Sequence, residues 1–145
     1  MDTATTRTGL DQCRLIAIPR FEDPRGTLSV VDGPPAIPFE TRRFYYIHNV
    51  APDARRGCHA HRNEKQLIIA VTGRFRITVK DDRLTREFEL ASPAVGLYVP
   101  PLLWHELHDF APGTVCAVLA SVSYDPADYI HSFDEYCRIL EGNAH

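Results

Sequence analysis

The chain has 145 residues, 44% of them hydrophobic and 24% charged, with a formal net charge of -3. That length fits one domain able to bury a core without disulfides, and the charge excludes a whole-chain basic field for nucleic acid or an anionic membrane. No stretch approaches the roughly 18 apolar residues needed to cross a bilayer, the first residues do not read as a signal peptide, and Cys13, Cys58, Cys116 and Cys137 have neither CxxC nor zinc-ligand spacing, so a cytoplasmic protein with reduced thiols is expected.

Residues 1–12 are polar and read as loose. Short strands then follow, broken by turns: Leu15–Ile18, a turn over Phe21–Gly26, Thr27–Val31, a loop from Gly33 to Pro38, and the aromatic, β-branched Arg43–Val50. After the turn Pro52–Gly57 come the apolar Gln66–Thr72, the alternating Arg74–Lys80 and Leu84–Leu90, joined by a hairpin turn at Asp81-Asp82. Gly96–Val99, Trp104–Phe110 and Val115–Ser121 complete the series. Only the tail reads as helical, over Tyr129–Leu140. Many short strands at even spacing predict an all-β sandwich or barrel in one domain, 1–145, with a short C-terminal helix.

The chemistry concentrates around Gly57-Cys58-His59-Ala60-His61. On a strand, residues two apart share a face, so both imidazoles point the same way. Gln66 follows, and Gly73 closes the next strand. A second stretch, Gly96 to His105, carries a third histidine behind the turn Pro100-Pro101-Leu102. These stretches resemble the two motifs of the cupin superfamily, which holds a divalent ion with two His, a Glu and a later His. Here Gln66 stands at the Glu position and Leu102 where Gly is usual. An amide neutralises none of an ion's charge, which weakens the metal reading. Metal-free proton transfer by histidine, which titrates near neutrality, is the alternative.

Longer segments sharpen the resemblance. They include Asp23-Pro24-Arg25-Gly26, Arg42 to Ile47, Arg56 to His61, Gly96 to Pro101, Trp104 to Phe110 and Tyr124 to Ile130. Together they are similar to the nucleotide-sugar 3,4-ketoisomerases acting on dTDP-4-keto-6-deoxyglucose. The resemblance implies an RmlC-like cupin jelly-roll barrel that works as a homodimer, needs no cofactor or metal, and moves a keto group from C4 to C3 in deoxy- and amino-sugar biosynthesis. It implies catalytic roles for His59, His61 and a strand tyrosine matched here to Tyr46. Arg forks grip diphosphate well, so Arg25, Arg43 and Arg56 are candidates for the nucleotide. Gln66, Trp104 and His105 are candidates for the sugar or base. His48, His131 and His145 read as surface residues. A metal-dependent cupin, a sugar-nucleotide 3,5-epimerase and a non-catalytic sugar-nucleotide-binding cupin remain as alternatives.

Overall fold

A computed structural model describes residues 8–143. Twelve strands and one helix follow in chain order: β1 Arg14–Ala17, β2 Arg20–Asp23, β3 Gly26–Ser29, β4 Arg43–Ile47, β5 Arg56–His61, β6 Gln66–Thr72, β7 Phe75–Lys80, β8 Thr85–Leu90, β9 Val95–Val99, β10 Trp104–His108, β11 Val115–Ala120, β12 Tyr129–Ile130 and α1 Phe133–Asn143. They build two five-stranded sheets, ordered β1-β9-β6-β11-β4 and β12-β5-β10-β7-β8, with β2-β3 as a separate hairpin. Every pairing is antiparallel.

The alternation seen in the sequence explains the layers. Phe75, Ile77 and Val79 of β7 are buried inward, while Arg76 points out. They meet Ile68, Leu97, Leu107 and Val118 from the neighbouring strands in one apolar cluster. Truncating a ring such as Phe75 to Ala leaves a cavity there and costs about 3–5 kcal/mol. This double-layered jelly roll is the expected cupin architecture.

Two segments depart from the sequence expectation. Residues 8–12 are packed rather than loose, whereas 1–7 lie outside the described residues. Leu10 is buried in the core, the Thr8 hydroxyl donates to Asp81 Oδ2 (2.8 Å), and Arg86 Nη1 donates to the carbonyls of Leu10 and Cys13 (3.0 and 2.6 Å). The second departure is the tail. A 3-10 turn, Pro126–Asp128, is capped by the Asp125 carboxylate accepting from Ala127 N. Tyr129 and Ile130 then pair with His61 and Ala60 on the edge of β5. The helix starts only at Phe133, where the Ser132 hydroxyl accepts from Glu135 N. Its Tyr136 and Leu140 bury against Ala60, Trp104 and Ile130 on the outer face of the second sheet.

Two backbone irregularities aim the site. In the β5–β10 ladder Glu106 pairs with Gly57 and His105 with His59, so Cys58 is an unpaired extra residue at φ +55. This is a β-bulge, and it turns Cys58 outward while His59 points in. Leu102, standing where a glycine is usual, also adopts a left-handed φ of +59. The conformation costs a non-glycine residue roughly 1–2 kcal/mol. It is held by Leu102 N donating to the His61 carbonyl (2.7 Å) and its own carbonyl accepting from the Tyr136 hydroxyl (2.9 Å).

Candidate active site

A cavity of about 410 Å³ opens between the sheets on the side of β4, β5 and β12. Alternation puts Arg43, Tyr45 and Ile47 of β4 on its wall and turns Phe44 and Tyr46 toward the outside. β5 supplies His59, β6 supplies Gln66, β10 supplies His105, and Tyr129 of β12 closes one side.

His59 stands among rings. Its centroid lies 4.7 Å from His61, 4.9 Å from His105, 4.9 Å from Tyr129 and 5.9 Å from His131. A hydrogen bond to the Gly57 backbone engages the ring. Its Nε2 is buried and has no partner. Burial lowers its pKa to about 4, reinforced by charge at His131 and Arg43. The imidazole, whose ring lines the cavity, is therefore neutral at pH 7 and keeps an unsatisfied nitrogen, which is the configuration of a waiting base.

His61 shares the strand face but not the cavity wall. Its Nδ1 lies 3.3 Å from Asp128 Oδ2, and its Nε2 lies 3.3 Å from Gln66 Nε2 and 3.5 Å from Glu64 Oε2. Asp128 also accepts from the backbone N–H groups of Asn63 (2.7 Å) and Glu64 (3.3 Å). Burial drives the His61 pKa down to about 3, and that of His105 well below the ordinary range. A neutral His61 donating from Nδ1 to Asp128 and accepting at Nε2 from the Gln66 amide satisfies both ring nitrogens.

Behind the wall runs a buried polar chain. The Gln66 amide donates to Glu64 and lies 3.4 Å from the Tyr45 hydroxyl. Glu64 Oε2 lies 3.7 Å from Arg43 Nη2, which donates to the Tyr129 hydroxyl at 3.2 Å. The guanidinium also covers the rings of Tyr45 (4.8 Å) and Tyr124 (5.4 Å). Burial raises the Tyr45 pKa to about 12, so this phenol stays protonated as a hydrogen-bond donor.

Of the residues expected from sequence, His59, Arg43, Arg56, Gln66 and His105 meet at the cavity. Four others do not: His61, held behind the wall, and Tyr46, Arg25 and Trp104. Tyr46 is 57% exposed on the outer face of β4, and the tyrosine on the wall is its neighbour Tyr45. Arg25 sits at the tip of the β2-β3 hairpin, solvated and paired with Asp23 at 2.8 Å. Trp104 precedes His105 on β10 and so faces the opposite way. It packs against Phe133 and Tyr136, and its Nε1 donates to Glu106 (2.8 Å). His48, just after β4, and His131 are both exposed, and His131 also stacks on Tyr129 at 5.5 Å beside the site. His145 lies outside the described residues. Sequence reasoning missed Tyr45, Glu64, Asp128 and Tyr129. For Tyr45 a signal existed: it is two residues from Arg43, and the two share a face.

His59, His61 and His105 bring nitrogens within 4.8 Å of one another, as do His61, Glu64 and Asp128 their ligand atoms. Neither set fits a resident divalent ion. Both nitrogens of His61 are committed to protein partners, and Gln66 brings no negative charge to the first set. In the second, Asp128 is already engaged by the His61 ring and by the backbone N–H groups of residues 63 and 64.

Comparison with known proteins gives a consistent answer. Residues 11–141 match the family described as FdtA: WxcM-like, C-terminal. A TDP-4-oxo-6-deoxy-alpha-D-glucose-3,4-oxoisomerase of Aneurinibacillus thermoaerophilus is 40% identical over 127 residues, which is 88% of this chain and 91% of that protein. A variant of the 3,4-ketoisomerase QdtA of Thermoanaerobacterium thermosaccharolyticum, solved with TDP-4-keto-6-deoxyglucose, superposes with a TM-score of 0.88 at 38% identity, covering 92% of this chain and 96% of that one. The TDP-quinovose 3,4-ketoisomerase WlaRB of Campylobacter jejuni gives a TM-score of 0.85 at 35% identity, covering 89% and 99%. The chain therefore belongs to the FdtA family of WxcM-like proteins, on a cupin fold.

Proposed function

We propose that this chain is a nucleotide-sugar 3,4-ketoisomerase that converts dTDP-4-keto-6-deoxyglucose to the 3-keto isomer. The observation that carries the reading is a neutral His59 with an unpartnered Nε2, its ring on the wall of a cavity of sugar size, in a family whose relatives carry this activity in their names. The C3 hydrogen is acidic because C3 adjoins the C4 ketone. His59 takes that proton, the C3–H electron pair forms an enediol, and the proton returns at C4. Tyr45 donates a hydrogen bond to the developing oxyanion. His105 lines the same wall and shapes the pocket. Arg56, which lines the same cavity, grips the diphosphate on this reading. Arg43, committed to Glu64 and Tyr129, belongs to the sugar end.

The working unit is a homodimer on this reading. β4 is an edge strand carrying exposed Phe44 and Tyr46, and the hairpin exposes Phe21 and Leu28. An apolar groove between them is lined by Ile18, Val31, Phe44 and Val71. Apolar faces beside an open strand edge fit a second copy of the same chain. Light scattering should give the mass of two chains, and Phe44→Asp the mass of one; a monomeric parent contradicts the dimer. The four free thiols support a reducing, cytoplasmic setting. No helix among the described residues is long and apolar enough to cross a membrane.

The test of function is incubation with dTDP-4-keto-6-deoxyglucose followed by NMR. The 3-keto sugar is the expected product. Unchanged substrate, or deuterium at C5 after reaction in D2O, contradicts the isomerase reading.

A further inference from the structure

Two arginines line the cavity under opposite conditions. Arg56 is exposed and has no acidic partner among the described residues, so its charge is available to an anion. Arg43 is largely buried, and a carboxylate stands against it: Glu64 Oε2 lies 3.7 Å from Arg43 Nη2. Glu64 belongs to the turn between β5 and β6 and is only 2% exposed. No step of the keto shift uses this carboxylate.

Its surroundings explain how it carries charge there. Burial pushes its pKa up, while the Gln66 amide that donates to it and the Arg43 guanidinium pull the other way. The other titratable groups facing it are His61, whose Nε2 lies 3.5 Å away and which is neutral, and Asp128, itself engaged by His61 and by the backbone N–H groups of residues 63 and 64. A buried ion is tolerated where it is paired and hydrogen-bonded, and Glu64 is both.

We propose that Glu64 determines specificity: it cancels the charge of Arg43, so that the cavity beside this arginine takes an uncharged hexose and rejects one bearing a carboxylate. The inference deepens the nucleotide-sugar reading and rests on it. The ligand of that reading carries a charged diphosphate and a neutral sugar, and the two arginines match this division. Arg56, unbalanced, attracts the diphosphate. Arg43, balanced, offers hydrogen bonds and packing without a net field. Without its carboxylate, Arg43 becomes a second anion site in the same cavity, open to a sugar acid.

The test compares two probes that differ by one charge, dTDP-glucose and dTDP-glucuronate, binding to the full chain at pH 8 by calorimetry. Both share the nucleotide and diphosphate, so the ratio of their dissociation constants reads the sugar side, and a general loosening of the fold leaves it unmoved. The parent should favour dTDP-glucose; a preference for the glucuronate overturns the proposal. One unbalanced charge within the cavity changes affinity for a carboxylate by at least about tenfold, so Glu64→Gln should move the ratio that far toward the glucuronate, while Glu64→Asp, which keeps the charge, should stay within about threefold of the parent. An unmoved ratio in Glu64→Gln, or an equal move in both variants, overturns the proposal. If Glu64→Gln folds poorly, Arg43→Gln reads the same pair from the other side. It leaves the carboxylate unbalanced, so the ratio should move further toward dTDP-glucose, and a ratio unmoved or moved toward the glucuronate overturns the proposal. A parent that binds neither probe contradicts the nucleotide-sugar reading itself, whereas a parent that binds them with a ratio insensitive to Glu64 contradicts only the role of this residue.

Discussion

His59 and His61 are the same residue type, two apart on one strand face, yet they have been given opposite environments. His59 lines a cavity and keeps a buried nitrogen without a partner. His61 has both nitrogens engaged, one by a carboxylate arriving from the far end of the chain. The first is held ready to react, and the second is held still. A paired motif thus need not be a pair in chemistry. One member serves as the base, while the other locks β5 against β12 and the turn before it.

Replacing the two residues alike separates these roles most sharply. His59→Asn should lower turnover by about 10³-fold or more and leave the thermal midpoint nearer that of the parent, since the Nε2 it removes has no protein partner. His61→Asn should retain more activity and lose stability instead, by about 1–3 kcal/mol in a denaturant titration, because it breaks contacts to Asp128 and Gln66. Asp128→Asn should follow His61→Asn in kind. It keeps the shape but weakens the charge-assisted bonds from residues 61, 63 and 64, at a cost of about 1–3 kcal/mol.

The pH profile probes the same contrast. Burial lowers the pKa values of His59 to about 4 and His61 to about 3. The base is deprotonated above its folded pKa, so kcat should stay level down to about pH 5 and fall as the pH drops through about 4. A histidine in the unfolded chain titrates near 6.5. The unfolded state therefore binds more protons below that value, and stability, full above pH 6.5, should decline as pH falls toward 4. Urea midpoints at pH 8, 6 and 5 check the sign.

The smallest expected effects come from the two tyrosines of β4. Tyr45→Phe should cost about 10²-fold in kcat through the lost hydrogen bond to the oxyanion. Tyr46→Phe should leave kcat unchanged, because the ring lies on the outer face. A reversed order would place the substrate elsewhere.

The strands were legible because β7 and its neighbours alternate cleanly and turn residues mark their ends. The facing of side chains was legible too, where the alternation was anchored on the right residue. Taking Arg43 and His105 as cavity residues puts Tyr45 inside and Trp104 outside by parity alone; the family resemblance pointed to Tyr46 instead. Strand β12 was not legible, since two residues carry no period and lie in a segment with helix-starting chemistry. Glu64 and Asp128 were hidden for another reason. Each looks like a surface acid until the fold brings residue 128 beside residues 61, 63 and 64. Arg25 stands on a hairpin away from this chain's own cavity, and a DPRG turn gives no indication of that distance.

The central claim is that His59 alone removes the carbon proton. Its most direct test is deuterium uptake at C3 of dTDP-4-keto-6-deoxyglucose in D2O, measured by NMR for His59→Asn and His61→Asn side by side. Uptake should vanish in the first and persist, at a reduced rate, in the second; persistence in the first with loss in the second would contradict the account.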